Sequence, residues 1–139
     1  MENNLAGNKK ENVFVFFHEP AYPVYQKTGE SLDNHPGERD ALWQIFDKDN
    51  VSAVFNGHEH IATRRLIDSK VFSNAKNSIH QFVFGNTDSF DHTLPDPGVV
   101  EFSDQGQGRF GIVRVNGKEI AGETRGPDGA LLNTFTFSK

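Results

Sequence analysis

No cysteine occurs in this chain, which removes disulfides, thiolate metal sites and thiol nucleophiles together but assigns no compartment, because exported domains also do without it. Methionine and tryptophan occur once each. Basic residues are also in short supply: 14 Lys and Arg against 19 Asp and Glu leave a net charge of −5. Such a chain has no basic field to gather nucleic acid or an anionic membrane surface, so neither is expected as a partner. The longest apolar run, Val13 to Phe17, is far too short to span a bilayer, and the polar start from Met1 to Asn12 lacks the apolar stretch of a signal peptide.

What the chain does have is bulk for one core. Its 139 residues suit a single domain, and 13 Phe supply large apolar side chains. Counting Gly and leaving out Tyr, about 43% of the residues are apolar, and charged residues at 24% are ordinary for a globular domain.

The pattern along the chain is that of a layered α/β protein. Val13 to Phe17 (VFVFF) predicts a strand buried on both faces. The segment from Glu19 to Gly37 holds three of the six Pro and reads as a long loop, a length at which loops are usually functional. From Glu38 to Lys48, the apolar residues Ala41, Leu42, Ile45 and Phe46 fall at helical spacing, with Glu38 and Asp40 in the first turn. A second buried strand, Val51 to Phe55, then ends at Asn56-Gly57. Beyond Arg65 the chain turns β-rich. Ile79 to Phe84 and Gly108 to Val115 predict strands, Asn116-Gly117 a tight hairpin, Glu119 to Thr124 the return, Gly126 to Gly129 a turn, and Leu131 to Phe137 a last strand. Thr87 to Gly108, rich in Asp, Pro and Gly, reads as a surface excursion.

Chemistry collects at the ends of the first two strands. His18 ends one, and His58-Glu59-His60 follows the other just past Gly57. In open α/β sheets ligands bind beyond the carboxyl ends of strands, and neutral imidazole is a common ligand for Zn and Fe. An HxH triplet alone is equally the pattern of two solvated loop histidines. Gly57, which lets backbone approach a ligand, and His18 on the neighbouring strand shift the balance toward a metal site. Glu59 between the histidines reads as an exposed spacer. His80, inside a strand pattern, and His92, in a polar loop, are not assigned to the site.

The order of these pieces resembles a known family. A buried strand ending in His18-Glu19-Pro20-Ala21-Tyr22, then a helix, then a buried strand ending in Gly57-His58-Glu59-His60, resembles the C-terminal half of the calcineurin-like metallophosphoesterases. The His-x-Pro-x-Tyr form is most similar to the purple acid phosphatase branch. Val13 to Arg65 carries the specific match, and the remainder is similar only in architecture. The resemblance implies half of a two-sheet β-sandwich flanked by helices, built as β-loop-α-β followed by a β meander. It also implies hydrolysis of a phosphoester substrate at a centre of two divalent or mixed-valence metal ions (Fe, Zn or Mn). By position, His18 and His58 would bind one ion and His60 the other. His35, in the loop before the helix, would face the phosphate and leaving group. Apart from the resemblance, Arg64 and Arg65 read either as a solvated charge pair or as contacts to a substrate phosphate, with Arg64 the candidate.

The family draws its carboxylate ligands from motifs of the types Asp-x-His, Gly-Asp-x-x-Asp and Gly-Asn-His-Asp/Glu, all ahead of the strand that ends in His18. Here Asp33-Asn34-His35 and Gly85-Asn86-Thr87-Asp88 only imitate them, stand on the wrong side of His18, and read as loop residues. The expectation is that residues 1–12 are the remnant of a helix or a polar leader and residues 13–139 the C-terminal part of such a domain. The missing N-terminal half would be the partner, and this chain alone would bind metal weakly or not at all and be inactive. The rival expectation, from another class, is a non-catalytic β-rich interaction or regulatory module with a vestigial His cluster. A mononuclear HxH site of the cupin kind ranks below both, because no Glu and Gly follow His60 at that family's spacing.

Overall fold

The computed structural model describes residues 5–85 and 95–138. Within them the chain forms β1 (Phe14–Phe16), a 3-10 turn (Leu32–Asn34), helix α1 (Pro36–Lys48), β2 (Ala53–Asn56), β3 (Ala62–Ile67), β4 (Ile79–Phe84), β5 (Phe102–Asp104), β6 (Phe110–Asn116), β7 (Glu119–Arg125) and β8 (Leu131–Ser138). Five strands make one sheet in the order β1-β2-β4-β3-β5, and three make a second in the order β6-β7-β8. The α/β class expected from the sequence is therefore the class observed, with two sheets and, among the described residues, one full helix on the outer face. Of the expected remnant over residues 1–12, Leu5 and Ala6 are helical, residues 7–12 are not, and Met1–Asn4 lie outside the described residues.

Local chemistry sets the ends of α1. Pro36 sits at its start, where a missing N–H is harmless, and it holds His35 out of the helical region at φ −124° and ψ 68°. At the other end Asn50 adopts φ +60°, while Val51 N–H reaches back to Phe46 O (2.9 Å) and Asn50 N–H to Asp47 O (3.3 Å). That double closure with a left-handed residue is the Schellman stop. It aims the chain straight into β2.

The helix packs on one face of the larger sheet. Trp43, Phe46, Val54, Ile67 and Ile79 are fully buried there, joined by Tyr22 from the long loop. The Tyr22 ring meets the Trp43 ring edge-on at 5.0 Å, under the Arg39 guanidinium. Between the two sheets a phenylalanine layer takes over: Phe82 and Phe135 are buried, with Phe14, Phe55, Phe84 and Phe137 around them. The two sheets are also tied by polar contacts, since Arg64 on β3 donates to Glu101 (2.9 Å) and to Asn133 on β8 (2.9 Å).

Three expectations need correction. β1 is not buried on both faces: among the described residues it pairs only with β2, and Phe16 is 72% exposed at the sheet edge. The excursion from Thr87 to Gly108 contains a strand, because β5 pairs antiparallel with β3. Ala62–Ile67, read as no particular element, is β3, buried in the sheet between β4 and β5. Residues 86–94, including His92, lie outside the described part.

Candidate metal centre

The parallel ladder between β1 and β2 builds the site. Phe14, Val15 and Phe16 lie opposite Ala53, Val54 and Phe55, and beyond the strands Gly57 N–H donates to His18 O at 3.0 Å. Asn56 clamps the same corner, donating its side-chain amide to Phe17 O at 2.9 Å. This register leaves His18 beside the turn that carries His58. Gly57 eases the approach, for a Cβ at that position would lie 3.3 Å from His18 Nδ1 and press on the ring.

The two rings meet. His18 Nε2 lies 3.2 Å from His58 Nδ1, with the ring planes at 75° and the centroids 5.0 Å apart. His58 Nε2 is buried and has no hydrogen-bond partner among the described residues. The donor set fits part of a metal site. Two imidazole nitrogens bound to one tetrahedral ion at Zn–N distances near 2.0–2.1 Å would stand roughly 3.3 Å apart. Among the described residues, however, no group of three or more His, Asp or Glu converges. The fit is to two ligands of an ion and not to a closed site.

The turn that presents His58 is tight. Glu59 N–H donates to Gly57 O and Ile61 N–H to Glu59 O, each at 2.8 Å, so two three-residue turns follow one another. His58, at the centre of the first, has φ +67°. A γ-turn of that hand is rare and strained, and a non-glycine residue held left-handed costs about 1–3 kcal/mol. Gly85, at the end of β4, lets the turn sit so close: a Cβ there would lie 2.2 Å from Glu59 O.

Glu59 is the residue that sequence reasoning misjudged. Expected to be an exposed spacer, it is 0% exposed. Its carboxylate accepts from Val24 N–H at 3.1 Å and Tyr25 N–H at 2.6 Å, both in the long loop. Burial pushes its pKa up to about 7, against the lowering pull of backbone amides at Val24 and Lys27. The available clue was the loop itself: an irregular segment folded over a sheet edge must find acceptors for its own N–H groups.

The other candidates are placed as follows. His60 is partly exposed on the second turn, and His35 is exposed at the start of α1. Among the described residues neither bonds to the His18–His58 pair. Arg64 faces the inter-sheet side, bonded to Glu101 and Asn133 and lying over the Phe135 ring at 5.2 Å. Its neighbour Arg65 points the other way and donates to Tyr22 O in the long loop (3.4 Å). Asp33 stays a loop residue, accepting from Gly29 N–H (2.6 Å) and Ser31 N–H (3.2 Å). Of its decoy counterpart only Gly85 is described.

Comparison with solved structures finds the same arrangement of sheets and helix in two other proteins. The chain is similar to a purple acid phosphatase isolated from yellow lupin (Lupinus luteus) seeds, with a TM-score of 0.73, 21% identity and 99% of this chain covered. It is also similar to GAP50, the anchor in the inner membrane complex of Plasmodium, with a TM-score of 0.71, 12% identity and 97% of this chain covered. At such identities the likeness establishes the fold. The chain spans 27% of the lupin protein and 39% of GAP50. No protein-family model matches the sequence, and no curated protein matches it.

Proposed function

We propose that this chain is the imidazole-bearing part of a metal-dependent phosphoester hydrolase. The observation that carries the reading is the His18–His58 pair, 3.2 Å apart at the ends of two parallel strands, in a fold shared with a purple acid phosphatase. His18 and His58 would hold one ion and His60 would serve the second. Bound there, divalent cations supply positive charge to the phosphoryl oxygens and acidify water. His35, on the loop over that edge, would hand a proton to the leaving oxygen.

The carboxylates that balance such charge would come from a further segment, and the larger sheet has a place for it. Among the described residues β1 has no strand on its outer edge, and beside it opens a cleft of about 920 Å³ lined by Phe16, Phe55, Phe84, Phe110 and Val115, with His18 at its end. Phe16, Phe110 and Val115 are 72%, 42% and 47% exposed. An apolar strand laid along β1 would cover these side chains and bring its own carboxyl end to the histidines. This is the partner proposed for the chain, with a phosphoester as substrate.

Hydrolysis of an aryl phosphate tests the reading. The chain alone should show no turnover above the metal-only background, and addition of the segment that completes the sheet should restore it. In the completed protein, His60→Ala should abolish turnover and His35→Ala should lower it by roughly 10²–10⁴-fold. Full activity in His60→Ala would remove the proposed second-ion ligand.

A further inference from the structure

We propose that Glu59 is a positioning residue for the metal centre: by holding the Val24–Tyr25 backbone, its buried carboxylate locks the Gly57–Ile61 turns so that His58 stays left-handed and faces His18. The inference rests on the metal-site reading of that pair.

Three observations converge on it. First, Glu59 is the joint between the two three-residue turns, donating its N–H to Gly57 O and accepting from Ile61 N–H on its own carbonyl, both at 2.8 Å. Any rotation of its backbone breaks one turn or the other. Second, its side chain is fully buried and takes N–H groups from two successive loop residues, with Tyr25 N at 2.6 Å from Oε1 and Val24 N at 3.1 and 3.2 Å from Oε1 and Oε2. The backbone therefore cannot turn without pulling the buried carboxylate off both N–H groups and leaving them unpaired. Third, the strained φ of +67° falls on His58, the residue before it, whose Nδ1 reaches His18 Nε2. Strain of this kind persists only where the surroundings over-determine the backbone, and the Glu59 tether together with Gly85 packed under the Glu59 carbonyl supplies that determination.

Glu59 has no free face from which to reach a reacting phosphate, so it acts through His58 and through the loop. The same tether fixes the loop that leads to His35. One carboxylate thus joins two elements around the site, the Val24–Tyr25 segment of the loop and the Gly57–Ile61 turns.

Nuclear magnetic resonance of the isotope-labelled chain reads the turn directly, because a residue at positive φ gives an intense amide-to-α contact within itself. The unaltered chain should show that signal at His58 and slow amide exchange at Val24 and Tyr25. In Glu59→Ala both should be lost, and zinc affinity should fall about tenfold or more. Glu59→Gln keeps one oxygen for both N–H groups but turns the other, which also faces Val24 N–H, into a donor, so it should restore the His58 signal, the slow exchange and zinc affinity in part. Ser52→Ala, which removes the acceptor of Val13 N–H at the opposite end of β2, should leave all three unchanged. A His58 signal that survives in Glu59→Ala would overturn the proposal, as would unchanged zinc affinity in a Glu59→Ala chain whose loop amides have been freed. Should Glu59→Ala fail to fold, the unaltered chain still decides: fast exchange at Val24 and Tyr25 contradicts the tether. A chain that keeps the turn but takes up no zinc would count against the metal-site reading and would leave the tether standing.

Discussion

The two faces of the five-stranded sheet differ in how completely they are covered. On the helix side, Trp43 and Phe46 are wholly buried, the loop closes over Tyr22, and Asp47 at the end of α1 accepts the backbone N–H groups of Lys76 and Asn77. On the other side the phenylalanine layer is sealed only where β8 packs, around Phe82 and Phe135. Toward β1 it opens, and Phe16 stands 72% exposed while stacking on Phe55 at 4.9 Å. The histidine pair lies at the end of that open cleft. One face holds the fold together, and the other is, among the described residues, open at the end where the histidines meet.

The comparison breaks most readily at Trp43. Trp43→Ala should cost about 3–5 kcal/mol, enough to unfold a small domain at room temperature, because the cavity lies in a layer with no solvent to fill it. Urea unfolding followed by circular dichroism would measure the loss. A loss below about 1 kcal/mol would show that the helix layer is not the main core.

Phe16→Ser probes the other face and should behave oppositely. With most of the ring already in water, stability of the isolated chain should change by about 0.5 kcal/mol or less. Its self-association should nevertheless fall, since an unpaired edge flanked by exposed aromatics recruits other strands. Sedimentation velocity at rising concentration distinguishes the outcomes. Equal association in both chains would mean that the open cleft does not drive it.

The smallest effect belongs to the sealed end of the same layer. The His80 ring lies tilted over Phe137 with centroids 4.3 Å apart and is 3.2 Å from Glu101, with Arg64 on the same carboxylate. Burial lowers its pKa, Glu101 opposes that shift, and Arg64 adds to it. The unfolded chain then takes up a proton near pH 6.5 that the folded chain still refuses. The stability His80 contributes is complete above the unfolded pKa and is lost as pH falls through the folded value. The urea midpoint should therefore drop more steeply below pH 6.5 in the unaltered chain than in His80→Gln. Parallel pH profiles would show that His80 has the same pKa in the folded and unfolded states, Glu101 cancelling the effect of burial.

What the sequence disclosed follows the same division. Helical spacing at Ala41, Leu42, Ile45 and Phe46 found α1, and β4 was found to the residue because Ile79–Phe84 is bounded on both sides by polar turns. The Asn116-Gly117 signal found the β6–β7 hairpin, where Gly117 has φ +58°. β3 was hidden by adjacent arginines, which look like a break in the pattern but go to opposite faces of the strand, Arg64 toward β8 and Arg65 toward the loop. β1 was read as doubly buried because VFVFF carries no sign of how many neighbours it has. At the site, the strand pattern was enough to bring His18 and His58 together. The left-handed turn and the buried Glu59 were not legible, since both depend on a loop whose N–H groups find their acceptors only in three dimensions.

Calorimetric titration of the chain with zinc tests the central claim most directly. Two imidazoles without carboxylates should give one loose, reversible site that disappears in His58→Ala and in His18→Ala. Tight uptake of two ions by the chain, or zinc binding that survives both substitutions, would contradict the account.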